Sequence, residues 1–233
     1  MGDPTPDNDA LFAEGVDLRV RAIDAHRRGE WHHALDQYIE AERRFHKANL
    51  GAQVAWTMIH QGQVQERLGE AVEAIALFTG AEAMLRFHGD RAGIPLCCRR
   101  RGDVLRRQGR QEAALSQYCE GEAIYRSFHD PIGLVGLLAG KAMSYLAINR
   151  RIEAHAAIAE ALWKMQDQPP GHGCDTFLVH ALASRILGMA GDADGARSHL
   201  AQAARLAQLD HLRSDRMDPD VENELSLLPP ENG

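Results

Sequence analysis

One motif recurs five times along this chain and confines it to few folds: a glycine, an alanine five residues on, then a bulky side chain, then a small one. The glycine slot holds Gly29, Gly69, Gly109, Asn149 and Gly191, so the steps are 40, 40, 40 and 42 residues. The alanine slot holds Ala34, Ala74, Ala114, Ala154 and Ala196. Tyr38, Phe78, Tyr118, Ile158 and Leu200 occupy the bulky slot, and Ala41, Ala81, Gly121, Ala161 and Ala203 the small one. A fixed period of this length marks stacked units. A pair of short helices cannot cover its own apolar face, so each unit needs neighbours, and one continuous stack is expected.

Local signals divide each unit into two helices. Asp9, Asp90, Asp130, Asp175, Asp192 and Asp218 stand at expected N-caps. There a carboxylate accepts hydrogen bonds from free first-turn amides and faces the positive end of the helix. Proline follows Asp130 and Asp218, at the position where its missing amide is harmless. The slot glycines end the preceding helix. The spacing predicts ten helices in pairs: 10–28 with 31–48, 51–68 with 70–88, 91–108 with 111–129, 131–148 with 151–165, and 176–190 with 193–208. A shorter helix is expected near 219–228. Repeats near 9–48, 49–88, 90–129, 130–165 and 175–209 then form one domain over 9–209. Residues 1–8 are expected to be disordered, and 210–233 to form an acidic capping segment or tail. Ala22, Gly62, Gly102, Ala142 and Ser184, midway along the first helices, allow close approach, and the bulky slot fills the space between helices.

Charge narrows the function. The formal net charge is −7, yet residues 21–209 hold 21 acids and 23 bases, so the excess acid sits in the two tails. A near-neutral stack lacks the strongly basic face of a dedicated nucleic-acid binder. Arginine outnumbers lysine 23 to 3, which reads as the codon bias of a GC-rich genome. The N-terminus, MGDPTPDNDA, is acidic and proline-bearing, unlike a secretory or transit signal. The longest nearly apolar run, 132–140, is too short to cross a bilayer. The four cysteines form no CxxC pair and suggest no disulfide framework. A soluble cytoplasmic protein is expected.

Gly29-Glu30-Trp31-x-x-Ala34, Gly69-Glu70-x-x-x-Ala74 and Gly191-Asp192-x-x-x-Ala196, with the bulky and small slots that follow, resemble the tetratricopeptide repeat in its longer form. The resemblance covers roughly residues 10–209. It implies an all-α, right-handed α-solenoid of about five helix-turn-helix repeats plus a short C-terminal helix. Arg21, Gln61, Arg101, Lys141 and Ala183 depart from the family's leucine, and its usual tyrosine survives only as Tyr145. HEAT-type repeats share the period and are the architectural alternative; the glycine turn and the alanine–aromatic–small spacing favour the tetratricopeptide reading.

In such stacks the first helix of each pair lines a concave groove. Carried over position by position, the groove would hold Arg19, His26, Trp56, Gln63, Arg67, Leu96, Arg99, Asp103, Arg106, Met143 and Arg185. Arg67 and Arg106 also sit in last turns, where cations complement the helix dipole whatever the function. Arg19, Arg99 and Arg185 lie mid-helix without that reason. Guanidinium groups suit carboxylates because they donate two parallel hydrogen bonds. The resemblance therefore implies a non-catalytic scaffold or adaptor that binds a partner protein or acidic peptide, with Trp56, Leu96 and Met143 supplying apolar contact. Chaperone-binding members use a lysine and asparagine clamp, which these positions lack, so heat-shock chaperone tails are not expected ligands. A small-molecule-binding or enzymatic solenoid, and a regulator-type sensor acting through a partner, remain the alternatives. Apolar end faces leave self-association open. Val221, Leu225 and Leu228 could share one side of a tail helix, either as a cap on the last unit or as an occupant of the groove.

Catalytic patterns do not appear. The chain has no P-loop, no Gly-x-Ser-x-Gly elbow and no dinucleotide fingerprint. Of twelve histidines, no two stand three or four residues apart, and no HExxH occurs. The densest mixed-ligand run, His172-Gly-Cys174-Asp175, reads as a turn leading into a capped helix, and Cys97 and Cys98 read as core. No cofactor, metal, direct nucleic-acid partner or membrane partner is expected.

Overall fold

The computed structural model describes residues 8–128, 131–166 and 173–207. Among them are ten α-helices and no strand: α1 (Asn8–Arg27), α2 (Trp31–Lys47), α3 (Gly51–Arg67), α4 (Ala71–Phe87), α5 (Ile94–Arg107), α6 (Gln111–Phe128), α7 (Pro131–Ala147), α8 (Arg151–Met165), α9 (Gly173–Ala190) and α10 (Ala193–Ala207). The all-α class and the helix pairs are as the sequence spacing predicts. No helix among the described residues is long and apolar enough to cross a membrane.

Backbone conformation sets most helix ends. Glycines 29, 69, 89, 109 and 191 leave their helices at φ between 73° and 87°, and Asn49 and Asn149 at 57° and 59°. At the first of these turns the Gly29 amide donates to the His26 carbonyl and the Glu30 amide to the Ala25 carbonyl, each at 3.0 Å. This Schellman arrangement satisfies carbonyls that the helix end would leave unpaired. The same two bonds recur at Asn49, Gly69, Gly89, Gly109, Asn149 and Gly191. Asparagine can stand in the glycine slot at 149 because it tolerates the left-handed region better than most residues. Glu30, Glu70 and Arg150, just before α2, α4 and α8, make no side-chain capping bond.

The aspartate caps fare unevenly. Asp192 caps α10, its Oδ1 accepting the Gly195 amide at 2.9 Å. Asp9 lies inside the first turn of α1, which starts at Asn8, so residue 8 is helical rather than part of a disordered end. Asp90 does not cap a helix from residue 91. Its Oδ1 accepts the Ala92 amide at 3.1 Å and its Oδ2 the Trp56 indole N–H at 3.0 Å, and α5 begins only at Ile94. The Gly93 carbonyl accepts the Cys97 amide at 3.2 Å, which places Pro95 in a first turn that tolerates its missing N–H. Helix α9 starts at Gly173, upstream of the cap expected at Asp175. Asp130, most of the connector at 166–175, Asp218, the helix near 219–228, the tail at 210–233 and residues 1–7 lie outside the described residues.

The chain divides into two compact units, residues 1–104 and 105–233. In the first, α1 packs on α2, α2 on α3, and α3 on α4. Ala34, Tyr38, Ala41, Ala74, Phe78 and Ala81, the slot residues of two repeats, are all fully buried. A Cβ at Gly62 would stand 2.5 Å from the Phe78 ring, and one at Gly15 2.7 Å from the Phe45 ring, so both glycines make room for an aromatic. Tyr38 packs with Ala22, Ala25, Ala34 and Val64.

In the second unit, α6 packs on α7, α7 on α8 and α9, α8 on α9, and α9 on α10. Tyr118 and Ile158 join Leu134, Leu137, Leu138, Val179 and Leu182 in one apolar cluster. Gly140 takes the role seen at Gly62: a Cβ there would lie 2.6 Å from Tyr118. The fifth repeat is looser. Ala196 and Leu200 are half-buried, while Ala203 is buried with Phe177, Leu178 and Ala181.

Candidate functional site

In the first unit the first-helix elements α1, α3 and α5 gather a cationic face. Arg19 of α1 donates from Nη1 to Gln53 Oε1 of α3 at 2.7 Å, with its guanidinium 5.2 Å from the Phe45 ring centre. Burial lowers the Arg19 pKa, with Tyr38 acting against it. On α3, His60 stacks on the Tyr38 ring at 5.4 Å and 10°. Gln63, with its amide oriented to satisfy both neighbours, donates to His60 Nδ1 at 3.1 Å and accepts from Arg100 Nη2 and Nε at 2.7 and 3.1 Å. On α5, Arg99 and Arg100 flank the buried Asp103 carboxylate at 3.9 and 4.0 Å. Arg67 ends α3 with its guanidinium 4.9 Å from the Trp31 ring centre.

His26 was expected on this face, and the structure places it in the core beneath. It is fully buried, edge-on to Trp31 at 5.3 Å and to Tyr38 at 6.4 Å. Burial, with His60, Arg67 and Arg100 adding to it, lowers its pKa to about 4. His60 is also lowered to about 4, chiefly by burial, with Gln63 acting against it and Arg19 and Arg100 adding to it. Both imidazoles are therefore neutral at neutral pH. The guanidinium groups acting on the two rings are those of Arg19, Arg67 and Arg100. Such a cluster attracts an anion.

The other expected groove residues behave differently. Trp56 is half-buried and its N–H is taken by Asp90. Leu96 is half-buried on α5. Arg106, Met143 and Arg185 belong to the second unit. There Met143 packs against the apolar cluster, the Arg106 carbonyl accepts the Gln111 side chain at 3.1 Å, and Arg185 is exposed on α9. His60 and Arg100 were not among the expected groove residues; Ile59, the neighbour of His60, is buried. The run Arg99-Arg100-Arg101 was the available signal: consecutive helical residues point about 100° apart, and here Arg101 turns away to pair with Glu82 of α4.

The second unit carries a cleft of a different kind. Leu146, Arg151, Ile152, His155, Ile186, Met189 and Ala190 enclose about 310 Å³. Its walls are mainly aliphatic, with one arginine and one histidine among them. Cys97 and Cys98 are buried, and burial raises the Cys97 thiol to about 12, so it is no nucleophile at neutral pH.

No protein-family model and no curated protein matches the chain. Solved structures do. The chain is similar to BtubC (BKLC) from P. vanneervenii, with 16% identity and a TM-score of 0.72, over 86% of this chain and 82% of that one. It is similar to a Rap protein complexed with Competence and Sporulation Factor, with 13% identity and a TM-score of 0.74, over 92% of this chain but only 64% of Rap. It is also similar to Pseudomonas aeruginosa PilF, with 12% identity and a TM-score of 0.54, over 94% of this chain and 97% of that one. Paired helices, left-handed turn residues at the repeat period and buried alanine–bulky–small slots give this chain a fold of the tetratricopeptide-repeat type.

Proposed function

We propose that this protein is a non-catalytic binding module of the cytoplasm that holds an acidic segment of a partner protein against the α1, α3 and α5 face of its first unit. The observation that carries this reading is the half-buried guanidinium of Arg19, anchored by Gln53 and, among the described residues, without a carboxylate partner, beside the same pair of histidines that Arg67 and Arg100 act on. Such a group is partly stripped of water, and an incoming carboxylate restores a strong charge-assisted bond. Gln63 holds Arg100 by two bonds, which reduces the side-chain entropy lost on binding. A structure of the same fold, Rap, is complexed with Competence and Sporulation Factor, which supports ligand binding as a use of this architecture.

Fluorescence anisotropy with a labelled hexaglutamate peptide tests the reading, with hexalysine as control. Wild type should bind hexaglutamate preferentially, with affinity falling as salt rises. Arg19→Glu together with Arg100→Glu should weaken binding at least tenfold while leaving the helical circular dichroism intact. Equal binding by the double variant, or no preference over hexalysine, would remove the proposal.

A further inference from the structure

We propose that the aliphatic cleft of the second unit binds a medium-chain fatty carboxylate, with Arg151 and His155 receiving its head group. The site is independent of the cationic face of the first unit. The last turns of α7 and α9 and the first two turns of α8 form the cleft. Leu146 comes from α7, Ile152 from α8, and Ile186, Met189 and Ala190 from one face of α9. Ile152 is 84% exposed and Met189 47%, so large apolar side chains stand in water around the opening. An apolar occupant removes that surface from water, which favours binding.

The polar groups of the cleft sit together. Arg151 and His155 are one turn apart on α8 and so share a face of that helix. Arg151 donates from Nε to Asn149 Oδ1 at 3.1 Å and makes no ion pair among the described residues, which leaves its Nη groups to a ligand. His155 is exposed and has no hydrogen-bond partner among them. No acidic side chain lines the cleft. The helix ends that meet there differ in polarity and partly offset one another. The Arg151 guanidinium is then the full charge on the wall, and its parallel N–H donors match a carboxylate.

Volume and wall chemistry select the rest of the ligand. The enclosed space is about 310 Å³. At about 30 Å³ for a group the size of a water molecule, it takes a chain of about ten carbons or fewer. Leu146, Ile152, Ile186, Met189 and Ala190 present no hydrogen-bonding side chain. The amides of a peptide laid along them would lose water without gaining partners, whereas a saturated chain has no such groups. Met189 adapts its shape to a flexible chain, and no aromatic ring lines the cleft to stack on a planar ligand.

Sequence reading does not find the site because three helices build it. Ile152 and Met189 look like core residues until the fold leaves them exposed.

Methyl NMR of the full chain, labelled at methionine and isoleucine, tests the site with hexanoate, octanoate and decanoate below their micellar concentrations. Octyltrimethylammonium serves as the cationic control. The expected result is saturable shifts at Ile152, Ile186 and Met189, with affinity rising about threefold per methylene. Octanoate should bind at least tenfold more tightly than octyltrimethylammonium. Arg151→Gln should weaken octanoate at least fivefold and leave 1-octanol within twofold, a split that loss of fold does not produce. Shifts that do not saturate, an affinity independent of chain length, or equal binding of the cation would overturn the proposal. Two other occupants would overturn it as well. One is a second copy, shown if the same methyls shift on dilution of the protein alone. The other is the C-terminal segment of the chain, shown if Leu225→Asp shifts them without any carboxylate present.

Discussion

The two units share their slot residues and differ in what their first helices bury. In the first unit the first helices bury His26, Thr57, Gln61, Gln63 and Asp103, and α4 adds Glu82; among the described residues of the second, Ser144 is the one buried polar side chain. Helix α7 buries Leu134, Val135, Leu137, Leu138, Ala139 and Ala142 instead. The second helices, which carry Tyr38, Phe78, Tyr118 and Ile158, look alike in both. The difference shows that second helices hold the hairpins together and first helices are free to specialise. Burying polar groups costs stability unless each is paired. The pairings of Gln63 with Arg100 and of Gln61 with Glu42 at 2.6 Å show how the first unit offsets that cost.

Breaking the shared part should give the largest effects. Phe78→Ala and Tyr118→Ala should each destabilise by ~3–5 kcal/mol, as expected for a fully buried aromatic. Urea denaturation of each variant checks this. A loss under about 1 kcal/mol at either site would show that the units do not share a core logic.

Acid should weaken the first unit through two groups. The pKa values of His26 and His60 fall from 6.5 to about 4 on folding. Their contribution to stability is therefore complete above pH 6.5 and is lost as pH falls towards 4. Each group accounts for a change on the order of 2–3 kcal/mol. Denaturation followed from about pH 7 to 4.5 should show this decline, with a shallower slope in His60→Gln. A profile that is flat, or identical in the variant, would contradict the burial of these rings.

Smaller effects separate turn from face. Asp90→Ala removes the bond to the Trp56 indole and the turn bond to Ala92, and should cost about 1–2 kcal/mol in thermal denaturation. A Tm equal to wild type would mean the delayed start of α5 has another cause. Arg185→Glu alters an exposed residue of the second unit and should change stability by less than about 0.5 kcal/mol. It should also leave hexaglutamate binding within twofold of wild type. A tenfold loss there would move the anionic site out of the first unit.

Much of this fold was legible in the sequence because its signals are local. Gly29, Gly69, Gly109 and Gly191 sit at a backbone conformation that few other residues adopt, and Asn149 betrays the same turn. What escaped was decided by tertiary partners. Asp90 looked like a cap until Trp56 and Ala92 claimed both its oxygens. His26 looked like a surface residue because a helical wheel does not show that Trp31 and Tyr38 close over it. On the α1, α3 and α5 face, Arg19, Gln63, Arg67, Arg99 and Asp103 were expected and His60 and Arg100 were not, because the run Arg99-Arg100-Arg101 gives no local signal for which member meets Gln63 and which turns to Glu82.

The most direct test follows the arginine Nε–Hε resonances of the full chain by NMR during titration with hexaglutamate. The account requires the largest shifts at Arg19 and Arg100, fading together as salt is added. Shifts confined to arginines of the second unit, such as Arg151 or Arg185, would contradict it.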